Sequence, residues 1–281
     1  MYSVYNFKFA DFDIEQQGKS ILSLIDTSGF NEAIEKAELV LKSLDELKRI
    51  SHISSEKNQI YIESVLFRIY RNVAYFWRCA LQHEFYNAWC HLQDALDSLR
   101  QLKRFCSEIP LSAQFFERQL PSIEDVYPYS LFSSIGGFVE HYECSICGKD
   151  MDSIECEHIK GELYDGDIAY AIIRNFTEID HVSIVEKPAD KRCVLNPDDN
   201  QPGMLPMKHI VEHISDRKLT PLSFREILRI EYEKTNDAFV QLSPNSMCFC
   251  GSNRKFKKCC SGKRTLKHAH FEFVVVKTKL V

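Results

Sequence analysis

Cysteine constrains this chain more than any other residue, because 11 of the 281 residues are cysteines and seven of them fall in two tight groups. The groups are Cys144, Cys147 and Cys156, which lie beside His158, and Cys248, Cys250, Cys259 and Cys260. Clustered thiols form disulfides in oxidising compartments, whereas in reducing compartments they hold metal ions or take part in catalysis. The compartment therefore decides what the two groups are for.

The N-terminal segment and the apolar runs indicate that the chain stays inside the cell. Residues 1–7 have neither a basic start nor a long apolar run, so they do not form a secretory signal. The longest uninterrupted apolar run is about six residues, from Ile168 to Ile173, whereas a bilayer crossing needs about 20. We therefore expect a cytoplasmic protein with reduced cysteines and no membrane partner.

The charge of the chain is unevenly distributed. A hydrophobic fraction of 44% and a charged fraction of 27% are typical of a folded globular protein and exclude a wholly disordered chain. The net charge of −5 divides into −2 for residues 1–120, −11 for residues 121–250 and +8 for residues 251–281. A small basic tail on an acidic body favours contact with an acidic partner. The alternative is a solvated tail that only balances the charge of its own body.

The N-terminal part has the periodicity of helices. Apolar side chains recur at three- and four-residue steps over 31–50, 57–80 and 84–106, and neither Gly nor Pro interrupts residues 31–109. The sequence therefore predicts an all-α helical bundle over residues 1–125.

Prolines and glycines mark the end of this bundle. Pro110, Pro121 and Pro128 disfavour helix, and Gly136-Gly137 permits a sharp turn. We predict a domain boundary between Pro110 and Gly137.

The first cysteine group has the spacing of a structural metal site. Cys144 and Cys147 form a Cys-x2-Cys pair, which brings two thiolates to one side of a tight turn, and Gly148 frees the backbone to bend there. Cys156 and His158 lie two residues apart, so a strand would point both side chains to one face. Three thiolates and one imidazole would complete a tetrahedral zinc site with no open position for a catalytic water.

Strand-forming residues follow this group. The runs from Asp167 to Arg174 and from His181 to Val185 are rich in β-branched residues, and the polar residues 175–180 between them indicate a turn. We predict a β-hairpin or two neighbouring strands in a zinc-stabilised unit over residues 137–200. Zinc would replace the core that so small a unit lacks.

The same stretch allows an enzymatic alternative. Glu157-His158, Asn175 and His181 resemble part of a ββα-metal (HNH-type) nuclease, in which a His is the general base and other residues hold a divalent ion. The chain departs from that pattern, because it lacks a second Cys-x2-Cys pair and a recognisable closing helix. In addition, a His158 that ligates zinc cannot act as the base.

Two short helices are predicted over residues 203–240. The first runs from Met207 to Arg217 and carries three apolar residues on one face. The second runs from Thr220 to Tyr232, with Pro221 in its first turn and a Ser-x-x-Glu capping box behind it.

The second cysteine group has the spacing Cys-x-Cys-x8-Cys-Cys. Adjacent cysteines such as Cys259 and Cys260 rarely bond to each other, because a vicinal disulfide strains the peptide, but both can reach one metal ion. Basic side chains in and after the group offset the negative charge of four thiolates around zinc. We predict that these side chains contact the partner; they are Arg254, Lys255, Lys257, Lys258, Lys263 and Arg264.

A longer pattern surrounds this second group. Besides the four cysteines it contains Gly251-Ser252 and Phe256-Lys257-Lys258, with Met247 where a Pro is frequent. This stretch resembles the SEC-C motif, a zinc-binding element at the end of the bacterial preprotein-translocase ATPase and in many otherwise unrelated proteins. The resemblance implies a zinc site and contact with partners, since in the translocase such tails engage a chaperone and the ribosome. The chain has no G-x-x-x-x-G-K-[ST] phosphate loop, so it is not itself a translocase motor.

The C-terminal unit is predicted to span residues 244–281 and to close with a strand. His270 to Val276 is rich in β-formers, and we expect this strand to pair with the central β unit or a neighbour. Cys79, Cys90 and Cys106 lack metal spacing and are predicted to pack as small apolar residues. Cys193 is also predicted to pack as a structural residue, with a spare metal ligand as the alternative.

These patterns predict an α+β multidomain protein with a helical bundle, a small zinc-stabilised β unit, short helices, a zinc knuckle and a closing strand. We expect two structural zinc ions and a non-enzymatic adaptor function, in which the basic tail docks on a protein or nucleic-acid partner. One alternative is a nucleic-acid-binding protein in which Phe249 and Phe256 stack on bases while the cations follow the backbone. The nuclease is the other.

Overall fold

A computed structural model describes residues 2–5, 13–235, 242–248, 254–263 and 265–276. The helices described there are α1 Ile14–Asp26, α2 Phe30–Ile50, α3 Ser54–Leu81, α4 Phe85–Phe105, α5 Leu111–Glu124 and α6 Leu205–Ser215. The strands are β1 Tyr2–Ser3, β2 Cys106–Glu108, β3 Phe132–Cys144, β4 Leu163–Tyr164, β5 Asp167–Ile168, β6 Ala171–Val185, β7 Phe224–Thr235 and β8 Thr265–Val275. This mixture of helices and small sheets confirms the predicted α+β class.

The N-terminal helices form a bundle around α3. Helices α2, α3 and α4 confirm the three stretches that the apolar periodicity predicts. Helix α1 was not predicted; it begins after Asp13, whose carboxylate accepts a hydrogen bond from the backbone N–H of Gln16 at 2.9 Å. Helix α3 contacts α1, α2 and α4, and its aromatic side chains Phe67, Tyr70, Phe76 and Trp77 are fully buried.

The hydrophobic core continues from the bundle into the later part of the chain. Apolar side chains of α6 and the start of β7 are buried in the same cluster as those of the bundle. The Phe224 ring lies 6.1 Å from the ring of Trp77, edge to face. The Gln119 side chain on α5 donates hydrogen bonds of 2.7 Å to the carbonyls of Pro221 and Phe224. These contacts fix the base of β7 on the bundle.

Pro121 and Gly136-Gly137 were predicted to mark breaks after the bundle, but they lie inside a helix and a strand. Helix α5 starts directly after Pro110 and contains Pro121, so Pro121 does not end it. Gly136 and Gly137 lie inside β3 rather than at a turn. A Cβ atom on Gly136 would lie 2.3 Å from the His181 ring, and one on Gly137 would lie 2.3 Å from the Phe176 ring. The two glycines therefore make room for rings of the neighbouring strand.

Strands β3 and β6 form a long antiparallel ribbon, called the first ribbon below. They pair from Phe132↔Val185 to Cys144↔Ala171. The predicted turn at 175–180 is wrong, because these residues lie within β6. Two register irregularities, opposite Gly136/Gly137 and Phe138/Val139, leave Asp180 and Thr177 unpaired, and β6 pairs with β3 on both sides of each irregularity.

The base of the first ribbon is held on α4 by the segment that follows β6. The Arg192 guanidinium forms ion pairs with Asp94 at 2.7 Å, with Asp190 at 2.8 Å and with Asp97. The indole N–H of Trp89 donates to the carbonyl of Lys191 at 2.7 Å.

A second ribbon replaces the second of the two helices predicted over 203–240. Residues 224–235 form β7, which pairs antiparallel with β8 from Phe224↔Val275 to Thr235↔Thr265. The error has a physical reason, since apolar and charged residues alternate from Leu228 to Glu233, and β8 supplies a partner for this period-two pattern. Residues 220–223 form a turn in which the Thr220 N–H donates to the Ser223 hydroxyl at 2.9 Å.

The closing strand is confirmed and is longer than predicted, because β8 begins at Thr265. The division into units 1–125, 137–200, 203–240 and 244–281 stays a prediction. None of the helices in the described ranges combines the length and apolarity that a membrane crossing requires.

Candidate metal centres

The first cysteine group lies at the end of the first ribbon, where β3 gives way to the connection to β6. One ligand atom from each of Cys144, Cys147, Cys156 and His158 can be chosen so that all four lie within 4.8 Å of one another. The Cys147 and Cys156 sulfurs are 3.8 Å apart, and the Cys156 sulfur is 4.0 Å from Nδ1 of His158. The residues that the spacing predicts are therefore brought together.

These separations fit a tetrahedral metal site. Metal–sulfur bonds of about 2.3 Å place the sulfurs of a tetrahedral site about 3.8 Å apart. A disulfide would require a sulfur–sulfur distance of about 2.05 Å. Three thiols and one imidazole can thus surround one metal ion, and the four donors fill all its positions.

A tight backbone turn presents the first two ligands. The Gly148 N–H donates to the Cys144 carbonyl at 2.9 Å, and the Cys144 N–H donates to the Lys149 carbonyl at 2.7 Å. Gly148 has a φ of +71°, which a residue with a Cβ rarely adopts. Burial raises the pKa of the Cys144 thiol, but hydrogen bonds from the backbone N–H groups of Cys147 and Ile146 and from the Cys147 and Cys156 side chains together bring it below its ordinary value. The turn therefore favours the thiolate that a metal needs.

An Asp-Gly hairpin, formed by β4 and β5, anchors this knuckle to the helical bundle. Asp165 and Gly166 both have positive φ, as a two-residue hairpin turn requires. The Asp165 carboxylate pairs with Lys57 at 3.0 Å, and the Asp167 carboxylate pairs with Lys48 at 2.9 Å. The Gly166 N–H donates to the Asn58 side chain at 2.7 Å. The Asp-Gly dipeptide is the sequence signal that could have revealed this hairpin.

The hairpin also supports the histidine ligand. The Tyr164 ring packs edge to face on the His158 imidazole, with centroids 4.7 Å apart. The Tyr164 hydroxyl accepts a hydrogen bond from the Ile159 N–H at 3.0 Å. Sequence reasoning missed Tyr164, because an aromatic residue six positions after a ligand has no distinctive spacing.

The second cysteine group lies between β7 and β8. The sulfurs of Cys248, Cys259 and Cys260 lie within 4.8 Å of one another, and those of Cys259 and Cys260 are 3.8 Å apart. Cys250, the fourth predicted ligand, lies outside the described residues. The separation of 3.8 Å again fits two ligands of one metal ion and not a vicinal disulfide.

A short 3₁₀ turn, Phe256–Lys258, positions the adjacent cysteines. The Cys248 N–H donates to the Arg254 carbonyl at 2.8 Å, and the Cys259 N–H donates to the Phe256 carbonyl at 3.0 Å. Cys248, Phe256 and Cys260 are buried together in a small cluster of their own.

The predicted basic residues surround this cluster. Arg254, Lys255, Lys257, Lys258 and Lys263 are exposed, whereas Arg264 lies outside the described residues. The Arg254 guanidinium donates to the Cys259 sulfur at 3.7 Å, so this residue supports the cluster as well as contributing to the surface charge.

The residues of the nuclease alternative do not come together. Ala171 pairs with Cys144 at the first metal cluster, whereas His181 pairs with Gly136. At about 3.3 Å per residue, the stretch of β6 from Ala171 to His181 is roughly 30 Å long. Asn175 also lies within β6, where its amide donates to Glu140. His181 is therefore far from Glu157 and His158.

The cysteines outside the groups occupy two kinds of environment. Burial raises the pKa of the Cys79, Cys90 and Cys106 thiols, in the last case to about 11, as expected for cysteines that pack in a bundle. Cys193 is exposed, so the prediction that it packs as a structural residue is wrong.

Comparison with known proteins identifies one segment of the chain. Residues 245–262 match the SEC-C motif, which confirms the resemblance seen in the sequence for this segment. No curated protein and no solved structure matches the chain. The chain therefore carries a SEC-C motif at the end of the second ribbon, and its two cysteine groups are arranged to hold metal ions.

Proposed function

We propose that both cysteine groups bind zinc as a structural ion. Thiolate and imidazole donors in tetrahedral sets favour zinc among the common divalent metals. Cys144, Cys147, Cys156 and His158 would hold the first ion, and the cysteines of the SEC-C motif the second, with Cys250 completing the set. Each ion would close the end of a two-stranded ribbon, which has too little core to fold that end unaided.

We further propose that the protein is an interaction protein whose SEC-C knuckle docks on an acidic partner. The observation that carries this proposal is the arrangement of residues 254–260. Their cysteine and phenylalanine side chains face a buried cluster, whereas Lys255, Lys257 and Lys258 are exposed. Three lysines on a short metal-fixed segment form a compact cationic surface, which suits a carboxylate-rich surface of another protein.

Nucleic acid is a less favoured partner than an acidic protein surface. Recognition of nucleic acid by the basic tail predicts base stacking on Phe249 and Phe256. Phe256 is only 5% exposed and packs against Cys248 and Cys260, so it has no free ring face for a base. Phe249 lies outside the described residues. The cations alone would give binding to phosphates without stacking, with a steep dependence on salt.

Charge reversal of the knuckle tests this proposal. The variant Lys255→Glu/Lys257→Glu/Lys258→Glu should lower capture of the partner from a lysate of the host about 3- to 150-fold, because each of the three rim charges contributes about 0.2–1 kcal/mol. Bound proteins are quantified by mass spectrometry before and after nuclease treatment. Metal content should not change, because no metal ligand is altered.

Lys42→Glu/Lys160→Glu/Lys187→Glu serves as the control, since it makes the same change in net charge at exposed lysines outside the SEC-C knuckle. Equal capture by the two variants would contradict docking through the knuckle. If nuclease treatment abolishes capture, the partner is a nucleic acid and not a protein.

A further inference from the structure

The first ribbon has one face that is apolar and exposed. Side chains alternate between faces along β3, and residues directly opposite each other on β6 share a face. The register of the two strands therefore places the following residues on one face: Ile135, Val139, Phe176, Ile179, Val182 and Ile184. Val139 is half-buried, and the other five are between 48% and 67% exposed.

The irregularities of β6 keep these residues on the same face. With strict alternation, Val182 and Ile184 would share a face with Asp180 and Glu178. The register instead skips Asp180 and Thr177, so that Ile179 lies opposite Gly137 and Phe176 lies opposite Val139. The Phe176 ring lies over Gly137, as the separation of 2.3 Å from a Cβ built there requires. Both bulges thus bring Ile179 and Phe176 into the stripe and leave Asp180 and Thr177 unpaired.

The opposite face of the same ribbon alternates between polar and apolar residues. Glu140, Asn175, Glu178 and His181 lie on it, interspersed with the exposed side chains of Phe138, Tyr142 and Ile173. The uninterrupted apolar stripe is therefore a feature of one face of the ribbon. The stripe ends toward the first metal cluster at an ion pair between Glu143 and Arg174, whose nitrogen and oxygen atoms are 2.8 Å apart.

We propose that this apolar stripe is the contact surface of a homodimer, in which the stripes of two chains pack face to face. The five exposed side chains present on the order of 500 Å² of apolar surface, which matches the largest apolar patch of a typical monomer, a kind of patch that is often functional. Two copies would bury about 1,000 Å² in total, the size at which specific interfaces begin.

A second copy fits this surface because the stripe is self-complementary. The paired positions from Ser133 to Val139 and from Phe176 to Ile184 on this face are uncharged, so a two-fold contact places no like charges opposite each other. The charged residues that border the stripe, Glu143 and Arg174, already neutralise each other. Two ribbons packed in this way form a small sandwich, which supplies the missing second layer of a two-stranded sheet.

Analytical ultracentrifugation of the full chain with its metal tests the homodimer. The wild-type protein should sediment as a dimer at micromolar concentrations, and Ile179→Asp/Val182→Asp should raise the dimer dissociation constant at least about 100-fold. Phe138→Asp is the matched control, because it adds a charge at an equally exposed apolar site on the other face, and it should leave the dimer intact. Metal content and circular dichroism verify that each variant is folded.

A second measurement needs no variant. Amide hydrogen exchange of wild-type residues 171–185 should slow as the protein concentration rises through the dissociation constant. A wild-type monomer at about 100 μM, or exchange that does not depend on concentration, would overturn the proposal. Equal dissociation by Phe138→Asp and by Ile179→Asp/Val182→Asp would also overturn it, since the contact would then not depend on the apolar face.

Discussion

Cys144→Ser should remove one metal ion per chain and loosen the whole knuckle between β3 and β6. Cys144 is 1% exposed and ends the strand that carries the knuckle. A serine hydroxyl is a poor zinc ligand, and the free energy of binding structural zinc is largely free energy of folding. We expect amide exchange over residues 145–170 to accelerate at least about 100-fold, which corresponds to about 2.7 kcal/mol of local stability. Hydrogen-exchange mass spectrometry gives the readout.

Cys193→Ser is the matched control for this variant. Cys193 is exposed and lies outside both metal clusters, so its replacement should change neither metal content nor exchange. The account of the first cluster fails if Cys144→Ser retains its full metal content with unchanged exchange over 145–170.

Phe224→Ala should be among the most destabilising single substitutions. The Phe224 ring is fully buried and packs edge to face against Trp77 of α3 and Phe273 of β8, at centroid distances of 6.1 Å and 5.0 Å. Removal of a buried phenylalanine ring costs about 3–5 kcal/mol, because transfer free energy is lost and a cavity remains. Urea unfolding followed by circular dichroism measures this loss.

Phe138→Ala makes the same chemical change at an exposed position. The Phe138 ring is 61% exposed, so we expect its removal to change the free energy of unfolding by less than about 0.5 kcal/mol. Similar losses for the two variants would mean that Phe224 does not join the second ribbon to the bundle.

The helices and the cysteine groups could be predicted because their signals are local. The stripes in α2, α3 and α4 have the period of a helix, and the pairing of Cys144 with Cys147 is fixed by two intervening residues. The SEC-C motif was also recognised from its spacing, and residues 245–262 match it.

The two ribbons were harder to predict, because their partners lie far apart in the sequence. Residues 224–235 contain both a helical and a period-two pattern, and only the pairing with β8, some 30–50 residues later, decides between them. Likewise, the polar residues 175–180 indicate a turn unless β3 is known to pair with them. The Asp165-Gly166 hairpin is the opposite case, because its Asp-Gly signal is local and is present in the sequence.

The two cysteine groups occupy equivalent positions, each at the end of a two-stranded ribbon. In each case two antiparallel strands leave the helical bundle and the metal-binding residues lie in the chain that connects them. A ribbon of two strands has almost no interior, so a metal ion can fix the conformation of its end without a large core. The first end is additionally tied to the bundle through Lys48, Lys57 and Asn58.

The metal content of purified protein tests the central claim most directly. Elemental mass spectrometry of protein prepared under reducing conditions should find two zinc ions per chain. Cys259→Ser/Cys260→Ser should bind one, because the first cluster shares no ligand with the second. A folded wild-type protein that contains no metal would contradict both sites, and a double variant that still binds two zinc ions would contradict the second.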